Sequence, residues 1–489
     1  MSKSTDVNNP KQPVNIEGSE IRLQAAGFHG TVMRMDKPVR GEKRSRGRAP
    51  LPMDAAFAEA TDDADVKLVD SLVLALAPDR KAAGSGRSKT DAAPALLVPA
   101  VKGRQYAALE IDATGAAHWI IPVVKNGGKE VAVPLSPRTE SESAASQADK
   151  APGTGRGTTT KTMRRLVRIV SWATAPVVGA AARVVAGAWE SKRRPYQLLK
   201  VSADGQFTPA TGPVAAAGPV LLLVHGTFST PQAGFQGWVG SKDFAKVAAR
   251  YGGRVFALAH PSLSADPAGN IDWLLAQWGS AVPKDSPIDI VCHSRGGLVA
   301  RELAARAAAG KAPRVHRICQ VGAPNAGTML ANGEHWIQFL DAHTTALTLL
   351  PDTNTTIALE GVLCLVKIVG TGMVGGLPGL AAMDPEGKWL KQQAQIGLGD
   401  PEWYTIGTDY RASDGRYASM LERLKKTAPD AVVDRFFKQG NDMVVPTAGC
   451  FLPGPRIKDK LPLEGADITH VSYFSSQKVR DALSSWLVG

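Results

Sequence analysis

Residues 288–301 read IDIVCHSRGGLVAR. Ile288, Ile290 and Val291 lead up to Cys292. His293, Ser294 and Arg295 follow at a sharp turn, and Gly296 and Gly297 open a helical run. The pattern is a strand, a tight turn and a helix, with one serine at the tip. Such a turn holds the serine in a strained backbone conformation and pushes its hydroxyl out of the sheet. Small residues are needed two places before and two places after the serine, because strand and helix nearly touch there. Gly296 fills the second place. Cys292 fills the first, where glycine is more usual, and is still small.

The flanking chain repeats the alternation of strand and helix. PVLLLVHG (219–226) is a continuous apolar run, as a strand buried on both faces should be. DFAKVAARYG (243–252) reads as a helix and GRVFALAH (253–260) as a strand. NIDWLLAQWGSAV (270–282) is a second helix, GGLVARELAARAAAG (296–310) a third, and VHRICQVG (315–322) the next strand. Alternation of this kind predicts a mainly parallel sheet with helices on both faces.

These stretches together resemble the α/β-hydrolase superfamily, in its lipase and esterase branch. The resemblance covers about residues 218–489 and departs from the usual elbow at Cys292. It rests on the serine turn, on HGTF (225–228) after an early strand, on GAPNAGTML (322–330) after the strand that follows the elbow, and on NDMVVP (441–446) late in the chain. It implies a serine nucleophile, Ser294, with oxyanion donors at the backbone N–H groups of Thr227 and Arg295. The implied order of the partners is serine, acid, histidine. Asp442 is the first choice for the acid. Asp409 is the runner-up, because it also follows a strand, and Asp467 lies too close to the base. Among the nine histidines only His470 follows Asp442, so it is the expected base. His225 and Asn325 read as structural, and His293 as turned away from the serine.

The rest of the chain sets the frame. Its 489 residues suffice for two or three domains, and its composition is that of a globular protein. Net charge is +12, which points to an anionic partner only where the charge is clustered. The four cysteines, at 292, 319, 364 and 450, form no CxxC pair, so a zinc cluster is not expected. Residues 1–50 are polar and basic and read as a disordered arm, with no apolar stretch of the signal-peptide kind. A cytoplasmic setting is the default expectation, with signal-less export left open. Residues 51–135 carry short β-rich runs at 94–101, 105–112 and 118–124, with a hairpin at Ala113-Thr114-Gly115, and suggest a small β or α+β module. Residues 136–160 read as a flexible linker. Within and just after it, GTGRGTTTKT (153–162) lacks the spacing of a phosphate loop.

Residues 161–195 read as a basic amphipathic helix. Arg164, Arg165, Arg168, Arg183, Lys192, Arg193 and Arg194 border an apolar run too short for the roughly 20 residues that cross a bilayer. It either lies on anionic lipid, with Trp172 and Trp189 as anchors, or packs on the domain at 196–489 and exposes its arginines. No specific nucleic-acid binding is expected, since the basic runs lack interleaved aromatics.

An insertion at about 329–400 contains the glycine-rich IALEGVLCLVKIVGTGMVGGLPGLAAM (357–383) and sits where lipases carry a lid. The resemblance implies hydrolysis of carboxylic esters through an acyl-serine intermediate, on an apolar or lipid acyl group, with no metal or organic cofactor. Thioester hydrolysis or acyl transfer by the same residues, and a non-catalytic binding module, are the alternatives.

Overall fold

The structure, a computed structural model, describes residues 4–35, 53–78, 93–123, 128–135, 163–174, 182–211, 218–281, 286–348, 350, 355–373, 375–410, 439–454, 456–464 and 468–489. Among the described residues the chain divides into two compact units, the first running to about Pro176 and also taking in residues 369–372, the second comprising the remainder. The expected linker at 136–160 lies outside the described residues.

The first unit is a pair of antiparallel sheets. β1 (Ser4–Asn8), β4 (Phe28–Arg34), β5 (Lys67–Pro78), β10 (Met163–Ala173), β7 (Arg104–Asp112) and β8 (Ala117–Ile120) lie in that order in one sheet. β2 (Val14–Asn15), β3 (Arg22–Gln24), β6 (Ala95–Pro99) and β9 (Glu130–Pro134) form the other. Val32, Leu72, Leu74, Val167 and Ile169 of the first sheet share a core with Leu23, Leu96, Val98 and Val131 of the second. The expected hairpin joins β7 to β8, and Asp112 Oδ1 accepts from the N–H groups of Thr114 and Ala116 at 2.9 and 3.1 Å.

Two expectations fail in this unit. The arm at 1–50 is not disordered over residues 4–34, which supply four strands. Those strands are mostly polar, but Val7, Ile16, Ile21 and Leu23 are each buried in the shared core. Of the helix expected over 161–195, Met163–Ala173 is a strand, and among the described residues only α2 (Ala182–Arg193) is helical. The reason is tertiary. Val167, Ile169 and Val170 are β-branched and favour a pleated, half-buried surface. The arginines that made the stretch look like a solvated face find acids elsewhere in the same unit. Arg165 pairs with Glu110 on β7 at 3.2 Å, and Arg168 pairs with Asp54 on α1 (Asp54–Asp63) while stacking on the Phe57 ring. Trp172 is buried, so it is no lipid anchor. Trp189 is half-buried, with the Arg194 guanidinium 5.2 Å from its ring. No helix among the described residues is long and apolar enough to cross a membrane.

The second unit has an eight-stranded sheet. Its order is β12 (Phe207–Pro209), β11 (Gln197–Val201), β14 (Val255–Ala259), β13 (Val220–Val224), β15 (Ile288–His293), β16 (Val315–Val321), β17 (Glu402–Asp409) and β18 (Ile457–Glu464). β13 to β18 are parallel to one another, while β11 is antiparallel to both β14 and β12. Alternate residues of β13 point to opposite faces. Val220, Leu222 and Val224 join one core, and Leu221 and Leu223 the other.

Helices cover both faces. After the single turn α3 (Pro231–Gly234), α4 (Lys242–Arg250) lies on one face with the C-terminal helix Gln477–Val488. α5 (Pro267–Ala281) and α6 (Gly296–Ala308) lie on the other. This is the α/β-hydrolase fold, a mainly parallel sheet with helices on both faces. Unlike the expected boundary at 196, the unit includes α2.

The chain passes from β13 to β14 on one side and then returns to β15 on the other. The loops after β13 and β15 therefore diverge over a crevice at the carboxyl ends of the strands, the place where such sheets bind ligands. Between β16 and β17 the insertion supplies α7 (Trp336–Leu347), α8 (Thr355–Gly370), α9 (Pro378–Ala381) and α10 (Lys388–Gln393).

Candidate active site

Ser294 sits between β15 and α6 with φ 55°, in the left-handed region that non-glycine residues rarely adopt. The Ser294 N–H donates to Val321 O on β16 at 2.9 Å, which ties the strained turn to the sheet. Gly296 is required by space. A Cβ there would lie 2.3 Å from Val224 O and 2.7 Å from His225 O. Cys292 is fully buried, and burial pushes its thiol well above the usual range, so it acts as a small apolar residue.

The residue pairs expected from distant parts of the sequence meet at this turn. Ser294 Oγ lies 2.8 Å from His470 Nε2, and His470 Nδ1 lies 2.7 Å from Asp442 Oδ2. Asp442 follows β17 on a tight turn, where its own N–H donates to Val445 O at 3.1 Å. The His470 N–H donates to Asp442 O at 2.9 Å, so backbone as well as side chain fixes the pair. Asp409 ends β17 and is not bonded to His470. Asp467 lies outside the described residues.

The Asp442 carboxylate is fully buried, which raises its proton affinity, yet it stays ionised more readily than an ordinary aspartate. His470 and the N–H groups of Val445 and Val444, at 2.7 and 3.0 Å, outweigh the burial. A fourth donor was not expected from the sequence. The Tyr473 hydroxyl donates to Asp442 Oδ2 at 3.0 Å and accepts from the Thr408 N–H at 3.1 Å. Its position three residues after His470 is the only mark it leaves in the sequence.

His293 does not simply turn away. Its Nε2–H donates to the His470 carbonyl at 2.8 Å, and the two rings lie 5.0 Å apart. Burial lowers its pKa to about 3, so it is a neutral buttress. His225 is structural, with Nδ1–H donating to Gly226 O and Nε2 accepting from the His260 N–H. Asn325 is also structural, bonded to Gln320 and to Cys450 O.

The N–H groups of Thr227 and Arg295 have no acceptor among the described residues. Both border Ser294. Arg295 follows it directly, and Thr227 follows Gly226, at which a Cβ would lie 2.6 Å from Ser294 Cβ. Two unpartnered donors beside a serine hydroxyl are arranged as a site for an oxyanion would be. The Arg295 side chain turns the other way, donating to Gly379 O at 3.0 Å, to Ala265 O and to Asn270 Oδ1.

The site is buried. Ser294 is 4% exposed and His470 2%. α7 brings His343 edge-on to His470 at 5.8 Å, and Phe339 5.8 Å from Phe228. Burial lowers the His343 pKa to about 3 as well. A hydroxyl bonded to an imidazole whose far nitrogen is held by a carboxylate can be deprotonated as it attacks.

Comparison with known proteins adds the following. No curated protein matches the chain. Among solved structures, it is similar to the mature lipase BlEst2 of Bacillus licheniformis, at 16% identity and a TM-score of 0.33, over 57% of this chain and 96% of that one. It is also similar to lipase 1 of Pelosinus fermentans, at 13% identity and a TM-score of 0.38, over 56% and 98%. A third is the RedJ thioesterase of Streptomyces coelicolor, at 14% and 0.28, over 57% and 94%. Residues 191–488, more than half of the chain, match the family described as a domain of unknown function (DUF7379), and the chain belongs to that family.

Proposed function

We propose that the protein is a serine hydrolase that cleaves carboxylic esters through an acyl-serine intermediate. The observation that carries this reading is the unbroken line from Ser294 Oγ through His470 to Asp442, at 2.8 and 2.7 Å. Ser294 attacks the carbonyl carbon as His470 Nε2 takes its proton. Asp442 keeps the proton of His470 on Nδ1, which leaves Nε2 free to accept, and stabilises the imidazolium. The Thr227 and Arg295 N–H groups receive the negative oxygen of the tetrahedral intermediate. His470 then returns the proton to the leaving alcohol, and water hydrolyses the acyl-serine by the same steps in reverse.

The substrate is an ester with an apolar acyl part. α7 sets His343 against His470, and Phe228 packs on Phe339 of α7 and beside Gly361 of α8; such apolar surfaces would shield an acyl chain and exclude water. The insertion acts as a lid, since Ser294 is covered as it stands and a substrate needs it moved.

The test is labelling with a fluorophosphonate probe, followed by hydrolysis of p-nitrophenyl esters of increasing chain length. Wild type labels, Ser294→Ala and His470→Ala do not, and longer acyl chains are turned over better than acetate. Label retained on Ser294→Ala would move the nucleophile elsewhere.

A further inference from the structure

α2 carries one acid, Glu190, in the run AWESKRR. Its side chain is 1% exposed and it is not bonded to the neighbouring cations of its own helix. It reaches instead to the turn after β14. Oε1 accepts from the N–H groups of Ser262 and Leu263 at 2.6 and 2.8 Å. Oε2 accepts from the Ser264 N–H at 2.8 Å and from its hydroxyl at 2.5 Å. A carboxylate with four donors aimed at it fixes three successive residues of that turn.

The turn in its grip touches the proposed oxyanion loop. Ser262 Oγ accepts from the Phe228 N–H at 3.3 Å. Phe228 has φ 59°, a strained conformation that persists only when its surroundings over-determine it. Thr227, whose N–H is unpartnered, is the residue directly before it. From the other side Leu263 O accepts from the Gly379 N–H at 2.9 Å, and Gly379 O accepts from Arg295 Nε at 3.0 Å.

We infer that Glu190 is a positioning residue for the oxyanion site, acting through Ser262 and Phe228 on Thr227 and through the 262–264 turn and Gly379 on Arg295. This rests on the serine-hydrolase reading and extends it to a residue just before the matched family region. Electrostatics agree. Arg295 is fully buried, and that burial lowers its pKa to about 10, with Glu190 the largest opposing charge. The two halves of the oxyanion site thus share one buried anion. Four residues on, Arg194 pairs with Glu360 of α8 at 2.8 Å and donates to Ile357 O at 3.0 Å. α2 is therefore tied both to the turn behind the oxyanion loop and to the insertion above it.

The experiment uses the full chain and p-nitrophenyl butyrate, with rates divided by the number of sites titrated to completion with fluorophosphonate. Glu190→Ala is expected to lower kcat per titrated site roughly 10-fold or more, with KM little changed, because an oxyanion donor acts in the transition state. It should weaken inhibition by a trifluoromethyl ketone, whose tetrahedral adduct needs the same donors, by a similar factor. Glu190→Gln keeps an oxygen for Ser262 and Leu263 and should recover most of the loss. A merely structural role would reduce the number of titratable sites and leave kcat per site at the wild-type value, and that result overturns the inference. Should Glu190→Ala not fold, Ser262→Ala removes only the contact to Phe228 and must show the same loss per site. Wild type that fails to label at Ser294 removes the hydrolase reading and this inference with it. Wild type that labels beside an unaffected Glu190→Ala removes this inference alone.

Discussion

The Tyr473 hydroxyl and His470 Nδ1 meet on the same oxygen of Asp442, at 3.0 and 2.7 Å. The tyrosine oxygen is itself held by the Thr408 N–H from β17, so the far edge of the site is clamped to the sheet. Tyr473→Phe deletes a bond to a buried carboxylate and leaves the Thr408 N–H without its acceptor. Hydrogen bonds to charged groups contribute about 1.5–3 kcal/mol, and the loss of stability should fall in that range. Activity should drop less than 10-fold, because Asp442 keeps its other three donors. Denaturant unfolding and ester hydrolysis measured together decide this. Wild-type stability in the variant would mean that the clamp contributes nothing.

Asp442→Asn tests the assignment of the acid. The amide is nearly isosteric, and its oxygen can still accept from Val444 and Val445. Its NH2 group would then face His470 Nδ1 and force that nitrogen to accept. The imidazole proton would move to Nε2, where a base is needed. On the proposed mechanism a loss of about 10⁴-fold in kcat is expected. Asp409→Asn should stay within about 10-fold of wild type, since His470 Nδ1 bonds to Asp442. The reverse ranking would restore Asp409 as the acid.

Stability should fall on mild acidification. Burial lowers the pKa of each of His225, His293 and His343 to about 3. In the unfolded chain each returns to about 6.5. Above pH 6.5 neither state is protonated, and the three contribute no pH dependence. Below it the unfolded chain binds protons that the folded protein refuses, so stability drops as pH falls from about 6.5 towards 3. The limiting slope is about 1.4 kcal/mol per pH unit for each histidine. The Asp442 carboxyl, held below its ordinary range, adds a further loss only at lower pH. Urea melts at pH 7 and pH 5 should separate clearly, and His343→Phe should shrink the gap. Equal midpoints at the two pH values would contradict the buried neutral state.

Much of this site could be read before any coordinates. β13 (VLLLV) and β14 (VFALA) are continuous apolar runs because both faces are covered, and that pattern survives in the sequence. The elbow is legible because sterics demand small residues at fixed offsets, as the contacts at Gly296 make plain. The chain order left one histidine after Asp442. What was missed depends on partners far away in sequence. β10 looked helical because its arginines meet acids 55 and 114 residues distant. Glu190 was invisible because its partners are mostly backbone N–H groups, which carry no side-chain signature. The N-terminal strands were hidden by their polar faces, with a single buried apolar residue each in β1 and β3.

Gly361 of α8 lies against Phe228 in the proposed oxyanion loop, and substitution there sets two effects in opposition. Glycine inside a helix is disfavoured by about 1 kcal/mol relative to alanine, so Gly361→Ala gains helix stability. A Cβ at this place would stand 2.7 Å from Phe228 Cδ1 and 2.9 Å from its Cβ, with the Phe228 backbone 3.1 Å away. Overpacking of that kind costs about 1–3 kcal/mol, so the net change in stability is a modest loss. Function should suffer more. Phe228 is already strained, and any shift of its backbone moves the Thr227 N–H that precedes it. The expected result is an unfolding midpoint lowered by a few degrees and kcat per titrated site reduced roughly 10-fold or more. Larger side chains, as in Gly361→Val, should deepen both losses. Full activity in Gly361→Ala would mean that α8 can withdraw from Phe228 without disturbing the site, and the oxyanion loop would then be set from below alone.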